Sequence, residues 1–136
     1  METIIQHIAL DLVKKITKKA YSGGINDIDA LASDVLVDCR KAASLVIEAI
    51  YSQINVQIRE DKAERKKLGL VLKEKERKRE LLTEQGRLSL PRDYYYDRNN
   101  GRYVSVLDYI TGIRAYERIG NNLSACMVNL ATDMSY

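Results

Sequence analysis

Three aspartates in the second half of the chain, Asp93, Asp97 and Asp108, are of the residue type that can hold divalent metal ions for phosphoryl transfer. Asp93 and Asp97 border a predicted turn, and Asp108 looks like a cap at the end of a predicted hairpin, so a structural role is expected for each. The sequence has no Gly-rich phosphate-binding loop, no Cys/His metal pattern and no nucleophile elbow. We therefore expect no catalytic residue, no bound cofactor and no small-molecule substrate for this chain.

The residues that could bind a partner are basic and aromatic. Residues 59–80 hold ten Lys or Arg against six Asp or Glu, whereas the stretches on either side are close to neutral. Such cations release counterions from DNA, and tyrosines interleaved with arginines, as in residues 87–103, suit contact with its backbone and stacking on exposed bases. The candidate DNA-binding residues are Lys66, Lys67, Lys73, Lys75, Arg77, Lys78, Arg79, Arg87, Arg92, Tyr94, Tyr96, Arg98 and Arg102.

The same residues have a plainer interpretation, which the sequence leaves open. A charge run is often only a solvated face, and since the chain has no Phe or Trp, Tyr must supply all of its aromatic bulk. Strand alternation puts Tyr95 on the face opposite Tyr94 and Tyr96, so at least one of the three is expected to be buried or partnered. Cys39 is expected to pack as a small buried hydrophobe, and His7 is expected to lie on a helix surface.

A β-hairpin is predicted to present these basic and aromatic residues. Residues 87–90 alternate with the period of a half-buried strand, and residues 94–96 are three tyrosines, a type enriched in strands. Residues 97–101 (Asp-Arg-Asn-Asn-Gly) are a turn signal, after which residues 103–107 return as a second β-prone run. The hairpin becomes a three-stranded meander if residues 80–83, which precede it in the chain, pair with its first strand.

Two helices are predicted before the hairpin, joined by a short loop. Residues 2–19 carry an apolar stripe at helical spacing, and residues 21–24 (Tyr-Ser-Gly-Gly) are a helix stop signal. Asn26 or Asp27 can then provide the N-cap of a second helix. Because the loop is short, the two helices are expected to form an antiparallel helical hairpin.

The second helix is predicted to be long. Its apolar seam recurs at spacings of three and four over residues 28–58, which is typical of coiled-coil packing. Charge pairs beyond the seam, such as Glu74 with Lys78, favour a solvated helical extension, with a break or a switch to a strand near Gly69. The first helix is too short to cover the seam, so a second chain or an absent part of the protein is expected to cover the remainder. We expect a homo-oligomer formed through the long helix.

The fold class predicted for the 136 residues is α+β, with a helical region over residues 1–76 and a β-meander plus a C-terminal helix over residues 77–136. No apolar run reaches the roughly 18 residues that a membrane-spanning helix needs, and the N-terminus has no signal-peptide pattern. We expect a cytoplasmic protein without membrane contact. The C-terminal helix would be capped by Asn121 or Asn122 and would carry Leu123, Met127, Leu130 and Met134 at helical spacing.

The second half of the chain also resembles a known family. The strings T-E-x-G-x-L-x-L-x-R-x-Y-Y, D-x-x-x-G-x-Y-V and L-D-x-x-x-G-I-x-x-Y-E-R-I are similar to the N-terminal region of the ISLre-type transposases of bacterial insertion sequences. The resemblance is carried by Thr83, Glu84, Gly86, Arg92, Tyr94, Tyr95, Asp97, Gly101, Tyr103, Val104, Leu107, Asp108, Gly112, Ile113, Tyr116, Glu117, Arg118 and Ile119.

This resemblance implies a parent protein that cuts and rejoins DNA with three carboxylates that hold two divalent metal ions. It places those carboxylates downstream of Tyr136, so none is carried onto this chain. The function expected is therefore that of a DNA-binding and assembly region, truncated before the helix-turn-helix and the catalytic domain. The alternative is a structural helical module that dimerises and makes no nucleic-acid contact of its own.

Overall fold

The computed structural model describes residues 2–113 together with Met127 and Val128, and it has the predicted α+β architecture. A long helix and a three-stranded antiparallel sheet dominate it. The elements in chain order are α1 (Glu2–Tyr21), a 3-10 turn (Gly24–Asn26), α2 (Ile28–Glu60), α3 (Lys62–Lys67), β1 (Leu70–Thr83), β2 (Gly86–Asp97), β3 (Arg102–Val104) and α4 (Val106–Thr111).

The helical hairpin forms as predicted. Helix α1 ends at Tyr21, and Gly23 then adopts a φ of 114°, a value that glycine reaches without steric cost. The carboxylate of Asp27 accepts a hydrogen bond from the Ala30 amide at 3.1 Å and so caps α2. A contact of 2.7 Å between Lys19 Nζ and Asp38 Oδ2 then joins the two helices.

Helix α2 does not continue into the charged segment, so the predicted solvated extension is wrong. Asp61 leaves the helical conformation, and its carboxylate accepts from the Glu64 amide at 3.3 Å, which starts the separate short helix α3. An aspartate side chain competes with the helical ladder in this way because it can bond to nearby backbone amides. Gly69, with a φ of 71°, ends α3, and the chain becomes a strand at Leu70, the switch predicted near this residue.

The sheet has the order β1-β2-β3, and both pairings are antiparallel. Its second turn is the predicted Asn-Asn-Gly turn, where the Asp97 carboxylate accepts from the Asn99 amide at 3.0 Å and Gly101 has a φ of 65°. The additional strand that the sequence predicts before the hairpin is also present, as β1. Strand β3 is shorter than predicted because Ser105 caps α4, accepting from the Asp108 amide at 3.3 Å, so that Val106 is already helical.

Strand β1 is much longer than residues 80–83, the stretch predicted to pair. It starts at Leu70, and its charged residues 73–78 are exposed on the outer strand of the sheet, so the helical interpretation of Glu74 and Lys78 is wrong. Charged side chains suit an edge strand because they prevent pairing with other chains. The boundary drawn between residues 76 and 77 consequently falls inside this strand.

The long helix packs on two partners within the chain. Its first half lies against α1, and its second half lies against β2. Polar contacts near the hairpin tip help to hold the second interface: Ser44 Oγ donates to the Gln85 carbonyl at 3.3 Å, and the Ser89 amide donates to Glu48 Oε1 at 2.7 Å. The chain's own sheet therefore lies where α1 does not reach, which the sequence did not indicate.

The buried hydrophobic core lies in the sheet and in α4 rather than along the helical seam. Among the described residues, the buried hydrophobic side chains are Leu81, Leu88, Leu90, Tyr95 and Leu107. Cys39 is only half-buried, in contrast to the expectation of a buried thiol, and His7 is exposed as predicted.

The predicted C-terminal helix, with Leu123, Leu130, Met134 and the neighbouring Cys126, falls outside the described residues. Of its expected members only Met127 is described, which is helical together with Val128, and both are exposed. In the part of the chain that the structure describes, no helix is both long enough and apolar enough to cross a lipid bilayer.

Candidate nucleic-acid interface

Two turns that are distant in sequence meet at one end of the sheet. The Arg98 amide donates to the Gly69 carbonyl at 3.0 Å, and Asn99 Nδ2 donates to the Leu68 carbonyl at 3.2 Å. The turn after α3 and the turn between β2 and β3 are thereby held together. They bring four exposed cations to the same end of the molecule, which we call the basic end: Lys66, Lys67, Arg98 and Arg102.

The basic end depends on Gly69 and on the Asp97 carboxylate. Gly69 has a φ of 71°, and a Cβ there would lie 3.1 Å from the side-chain nitrogen of Asn99, so a larger residue would be strained and would press on the Asn99 side chain that joins the turns. The hydrogen bond from Asn100 Nδ2, at 2.7 Å, together with backbone amides of the turn, holds the pKa of Asp97 below its ordinary value, although partial burial opposes this. The turn is therefore closed by a carboxylate that stays ionised.

The middle of the sheet carries a second group of candidate residues. Lys73, Lys75, Arg77 and Lys78 are all exposed along the edge strand β1, where they alternate in part with Glu74 and Glu76. Acidic side chains accompany both sets of cations, since Lys67 of the basic end lies 3.9 Å from Glu64.

One face of the sheet combines arginine with tyrosine. Arg77 pairs across the sheet with Arg92, and their guanidinium carbons lie 5.3 Å and 4.9 Å from the centre of the Tyr94 ring. Tyr96 pairs with Tyr103, and these two rings are 5.3 Å apart with a tilt of 59°. Since cross-strand partners and every second residue share a face, these five residues form one surface, which we call the tyrosine face.

Tyr95 lies on the opposite face, as strand alternation predicts, and it is only 1% exposed. Burial is the largest influence on its phenol and raises its pKa. Tyr95 is thus the packing member of the triplet, whereas Tyr94 and Tyr96 are partly exposed.

Besides Arg77, which lies 3.8 Å from Glu74, three candidate arginines are engaged with carboxylates away from the basic end. Arg79 Nη1 lies 3.1 Å from Asp108 Oδ2, and Arg92 pairs with the same oxygen. The Asp108 carboxylate is therefore not a helix cap, contrary to expectation, but joins α4 to both long strands. Arg87 lies at the far tip of the hairpin, where it pairs with Glu80 at 3.5 Å, and both side chains are largely exposed. The structure thus separates these three from the basic end.

The sequence did not reveal a buried polar cluster around Asp93. Arg59 donates through Nε to Asp93 Oδ2 at 2.6 Å and through Nη2 to Oδ1 at 2.8 Å. Asn55 donates to Oδ1 at 3.1 Å and accepts from the Asp93 amide at 2.9 Å, and the Glu76 amide adds a bond of 2.9 Å. These contacts, which we call the Asp93 cluster, tie the end of α2 to both long strands.

The Asp93 cluster keeps its carboxylate charged although Asp93 is 1% exposed. Burial alone would raise the pKa of Asp93, but the hydrogen bonds from Arg59, the Glu76 amide and Asn55 outweigh it and lower this pKa. The same pairing raises the pKa of Arg59. Glu76 sits in a β-bulge with a φ of 53°, and its amide is directed at Asp93. The cluster therefore also fixes the bulge beside Lys75 and Arg77.

Spacing along α2 could have revealed part of this arrangement. Ser44, Glu48, Asn55 and Arg59 are separated by four, seven and four residues, which places them on one polar face of the helix. Their partners lie in and beside β2, and no local pattern in the sequence identifies those partners.

The three aspartates considered as metal ligands serve other purposes. Asp93 binds Arg59 and Asn55, Asp97 closes a turn, and Asp108 binds two arginines. Within the described part of the chain, no three His, Cys, Asp or Glu side chains gather in a way that could hold a metal ion.

Comparison with known proteins places the chain among a set of uncharacterised bacterial proteins. Residues 23–136 match the profile of the uncharacterised protein family UPF0236. One UPF0236 protein of Caldanaerobacter subterraneus subsp. tengcongensis is 31% identical over 138 residues, covering 99% of this chain and 29% of that protein. Another from the same strain is 34% identical over 90 residues, covering 66% of this chain and 19% of that protein.

The chain thus spans less than a third of the length of the curated relatives it matches. The name of the first relative joins eleven locus labels of a single strain, and the name of a second, 30% identical over 138 residues, joins four. No solved structure matches the chain.

Proposed function

Since the chain belongs to the uncharacterised protein family UPF0236, we propose from its own geometry that it is the N-terminal DNA-binding and assembly region of a DNA transposase. The chain itself does not carry the catalytic carboxylates. It acts in the cytoplasm, where its partner is chromosomal or element DNA.

The observation that carries this proposal is the basic end. Its four cations come from the end of α3 and from the β2–β3 turn with the first residue of β3, and hydrogen bonds of 3.0 Å and 3.2 Å hold the turns of these two segments together. Cations on a fixed framework can contact several phosphates at once, and each contact releases counterions from the duplex.

The names of the relatives add independent support. Eleven locus labels joined in one name fit a protein that is encoded at many places in one genome. Elements that copy or move their own DNA are found in this way, whereas a structural protein is ordinarily encoded once. The resemblance of residues 83–119 to the ISLre-type transposases points to the same class of protein.

Cutting and rejoining of DNA is proposed for the whole transposase and not for this chain. The chain spans less than a third of its relatives, and Asp93, Asp97 and Asp108 are engaged in structural contacts. The metal-dependent chemistry is therefore assigned to other parts of the protein, and this chain provides the DNA binding.

Fluorescence anisotropy with a labelled blunt duplex, measured over a series of salt concentrations, tests the proposal. The unmodified chain should bind, and the variant with Lys66, Lys67, Arg98 and Arg102 changed to Ala should bind more weakly. The slope of log K against log salt should become shallower by about 0.9 for each phosphate that the variant no longer neutralises.

A matched control removes the same charge from another surface. Lys14, Lys18, Arg40 and Lys41 are exposed on the helical hairpin, and their replacement by Ala should leave the salt slope unchanged. Equal effects of the two fourfold variants would mean that net charge alone drives binding and that the basic end is not the site. Absence of binding by the unmodified chain at low salt would remove the DNA-binding proposal altogether.

A second function, helical dimerisation, is favoured by solvent-exposed apolar side chains on α1 and α2. Ile4 and Val13 on α1 are 56% and 58% exposed, and Ile28 and Leu36 on α2 are 72% and 52% exposed. Such side chains on neighbouring helices suit a helix–helix interface. Light scattering tests this alternative, because a dimer should become a monomer in the variant Leu36→Glu, and a monomer at micromolar concentration of the unmodified chain would exclude it.

A further inference from the structure

We infer that the tyrosine face binds unpaired nucleotides of single-stranded DNA, with bases stacked on Tyr103 and the backbone attracted by Arg77. This inference rests on the proposed DNA-binding function and adds to it the form of DNA that this surface takes. The surface consists of Arg77, Arg92, Tyr94, Tyr96 and Tyr103.

Tyr103 is the accessible ring of this surface. Its residue is 67% exposed although it belongs to a strand, whereas the nearby Tyr95 is 1% exposed. Packing explains Tyr95 but leaves most of Tyr103 open to solvent. The Tyr96 ring at 5.3 Å supports the Tyr103 ring from one side, so the aromatic group is held in place before any ligand arrives. A supported and open ring is what a stacking base requires.

Two arginines, Arg77 and Arg92, lie over the Tyr94 ring of the tyrosine face. Arg92 is mostly buried, bonds to Asp108 and lies over Tyr94, so it orients that ring. Arg77 lies over the same ring from the neighbouring strand, but 59% of its side chain is exposed. Its guanidinium group can therefore stack on a base or contact a phosphate while it stays in contact with Tyr94.

Single-stranded DNA fits this surface better than a duplex does. The bases of a duplex are stacked on one another, so their faces are closed to a protein ring, whereas unpaired bases offer both faces. Stacking on an aromatic side chain tolerates any base, since every base has a π-face. The basic end provides only cations for the phosphate backbone of DNA, so the two surfaces differ in the form of DNA that they recognise.

Glu74 provides an internal check on this assignment. It pairs across the sheet with Tyr94 and contacts Arg77 at 3.8 Å, with 55% of its side chain exposed. Its negative charge opposes a phosphate at this place. The variant Glu74→Gln should therefore bind single-stranded DNA several-fold more tightly than the unmodified chain, because the repulsion is removed and Arg77 keeps its charge.

The test compares Tyr103→Leu with the unmodified chain by anisotropy, using a single-stranded oligonucleotide and a blunt duplex with equal numbers of phosphates. Loss of one stacked base should weaken single-stranded binding by about 5- to 100-fold, and duplex binding should stay within twofold. Tyr103→Phe keeps the ring and should bind as the unmodified chain does. Tyr21→Leu is the matched control, since Tyr21 is 84% exposed at the end of α1, remote in sequence from the sheet.

The outcomes separate this inference from the proposed function. Binding of the duplex but not of the single strand would overturn the inference and leave the proposed function standing. Single-stranded binding that Tyr103→Leu does not weaken, or that Tyr21→Leu weakens equally, would also overturn it. Failure to bind either oligonucleotide would remove both. Each variant is to be compared by thermal unfolding, and because Tyr103 is exposed, an unchanged midpoint is expected.

Discussion

Arg59 and Asp93, separated by 34 residues in the chain, form a paired contact of 2.6 Å and 2.8 Å between the end of α2 and the middle of β2. This pair is the centre of the Asp93 cluster, because Asn55 and the Glu76 amide bond to the same carboxylate. The long helix is thereby attached to the sheet near the point where the β-bulge changes the register of β1. The position of the exposed cations on β1 relative to the helix follows from this attachment.

The first prediction concerns the stability that this ion pair provides. Arg59→Ala should lower the free energy of unfolding by about 3–5 kcal/mol, because it leaves a buried carboxylate without its cation. Urea denaturation followed by circular dichroism measures this change. The control is Arg87→Ala, which removes an exposed pair with Glu80 and should cost less than about 1 kcal/mol. Equal effects of the two variants would contradict the assignment.

A second prediction concerns pH. The folded state lowers the pKa of Asp93 and of Asp97, so both carboxylates contribute stability above the unfolded-state pKa of about 3.9. That contribution is lost as the pH falls through the lower folded-state values, where the folded carboxylates also take up protons. The free energy of unfolding should therefore be constant between pH 5 and pH 7, to within about 1 kcal/mol, and should fall below about pH 4.

The variant Asp93→Asn identifies the group responsible. It should be less stable at neutral pH, and its unfolding free energy should fall less steeply with acid, by up to about 1.4 kcal/mol per pH unit. Urea unfolding at a series of pH values from about 2.5 to 7 gives both slopes. An acid slope identical to that of the unmodified chain would show that Asp93 does not titrate below its unfolded-state value.

Local signals in the sequence predicted the elements that local chemistry determines. The Asp27 cap, the glycines after Tyr21 and the Asn-Asn-Gly turn each act through residues within a few positions, so their types were sufficient. The burial of Tyr95 followed in the same way from the two-residue period of a strand.

The features that the sequence did not predict depend on contacts between distant residues. Lys73 to Lys78 form a strand because β2 lies beside them, and a run of charged residues on an edge strand has no apolar alternation that would identify it. The basic end likewise depends on the hydrogen bond between Gly69 and Arg98. The predicted DNA-binding residues include the four cations that the joined turns bring together, and they also include Arg79 and Arg92, which the structure pairs with Asp108.

The third prediction concerns Asp108. Asp108→Ala should lower the free energy of unfolding by about 1.5–3 kcal/mol, since it removes charge-assisted bonds to Arg79 and Arg92. Thermal and urea unfolding measure the decrease. Glu80→Ala is the matched control, because it removes an exposed carboxylate from the same sheet and should change stability by less than about 1 kcal/mol. A neutral Asp108→Ala would mean that α4 does not depend on this carboxylate.

The fourth prediction tests the contact between the two turns of the basic end. Gly69 and Gly112 have nearly the same backbone conformation, with φ values of 71° and 72°, so an Ala at either position costs about 1 kcal/mol of conformational strain. At Gly69 the new Cβ would meet the Asn99 side chain at 3.1 Å, whereas at Gly112 no atom of the described residues lies within 4 Å of it. Gly69→Ala should therefore displace the Asn99 turn, lower stability more than Gly112→Ala and weaken duplex binding by several-fold. Urea unfolding and anisotropy on both variants measure these effects, and duplex binding that Gly69→Ala leaves intact would show that the joined turns do not set the position of the cations.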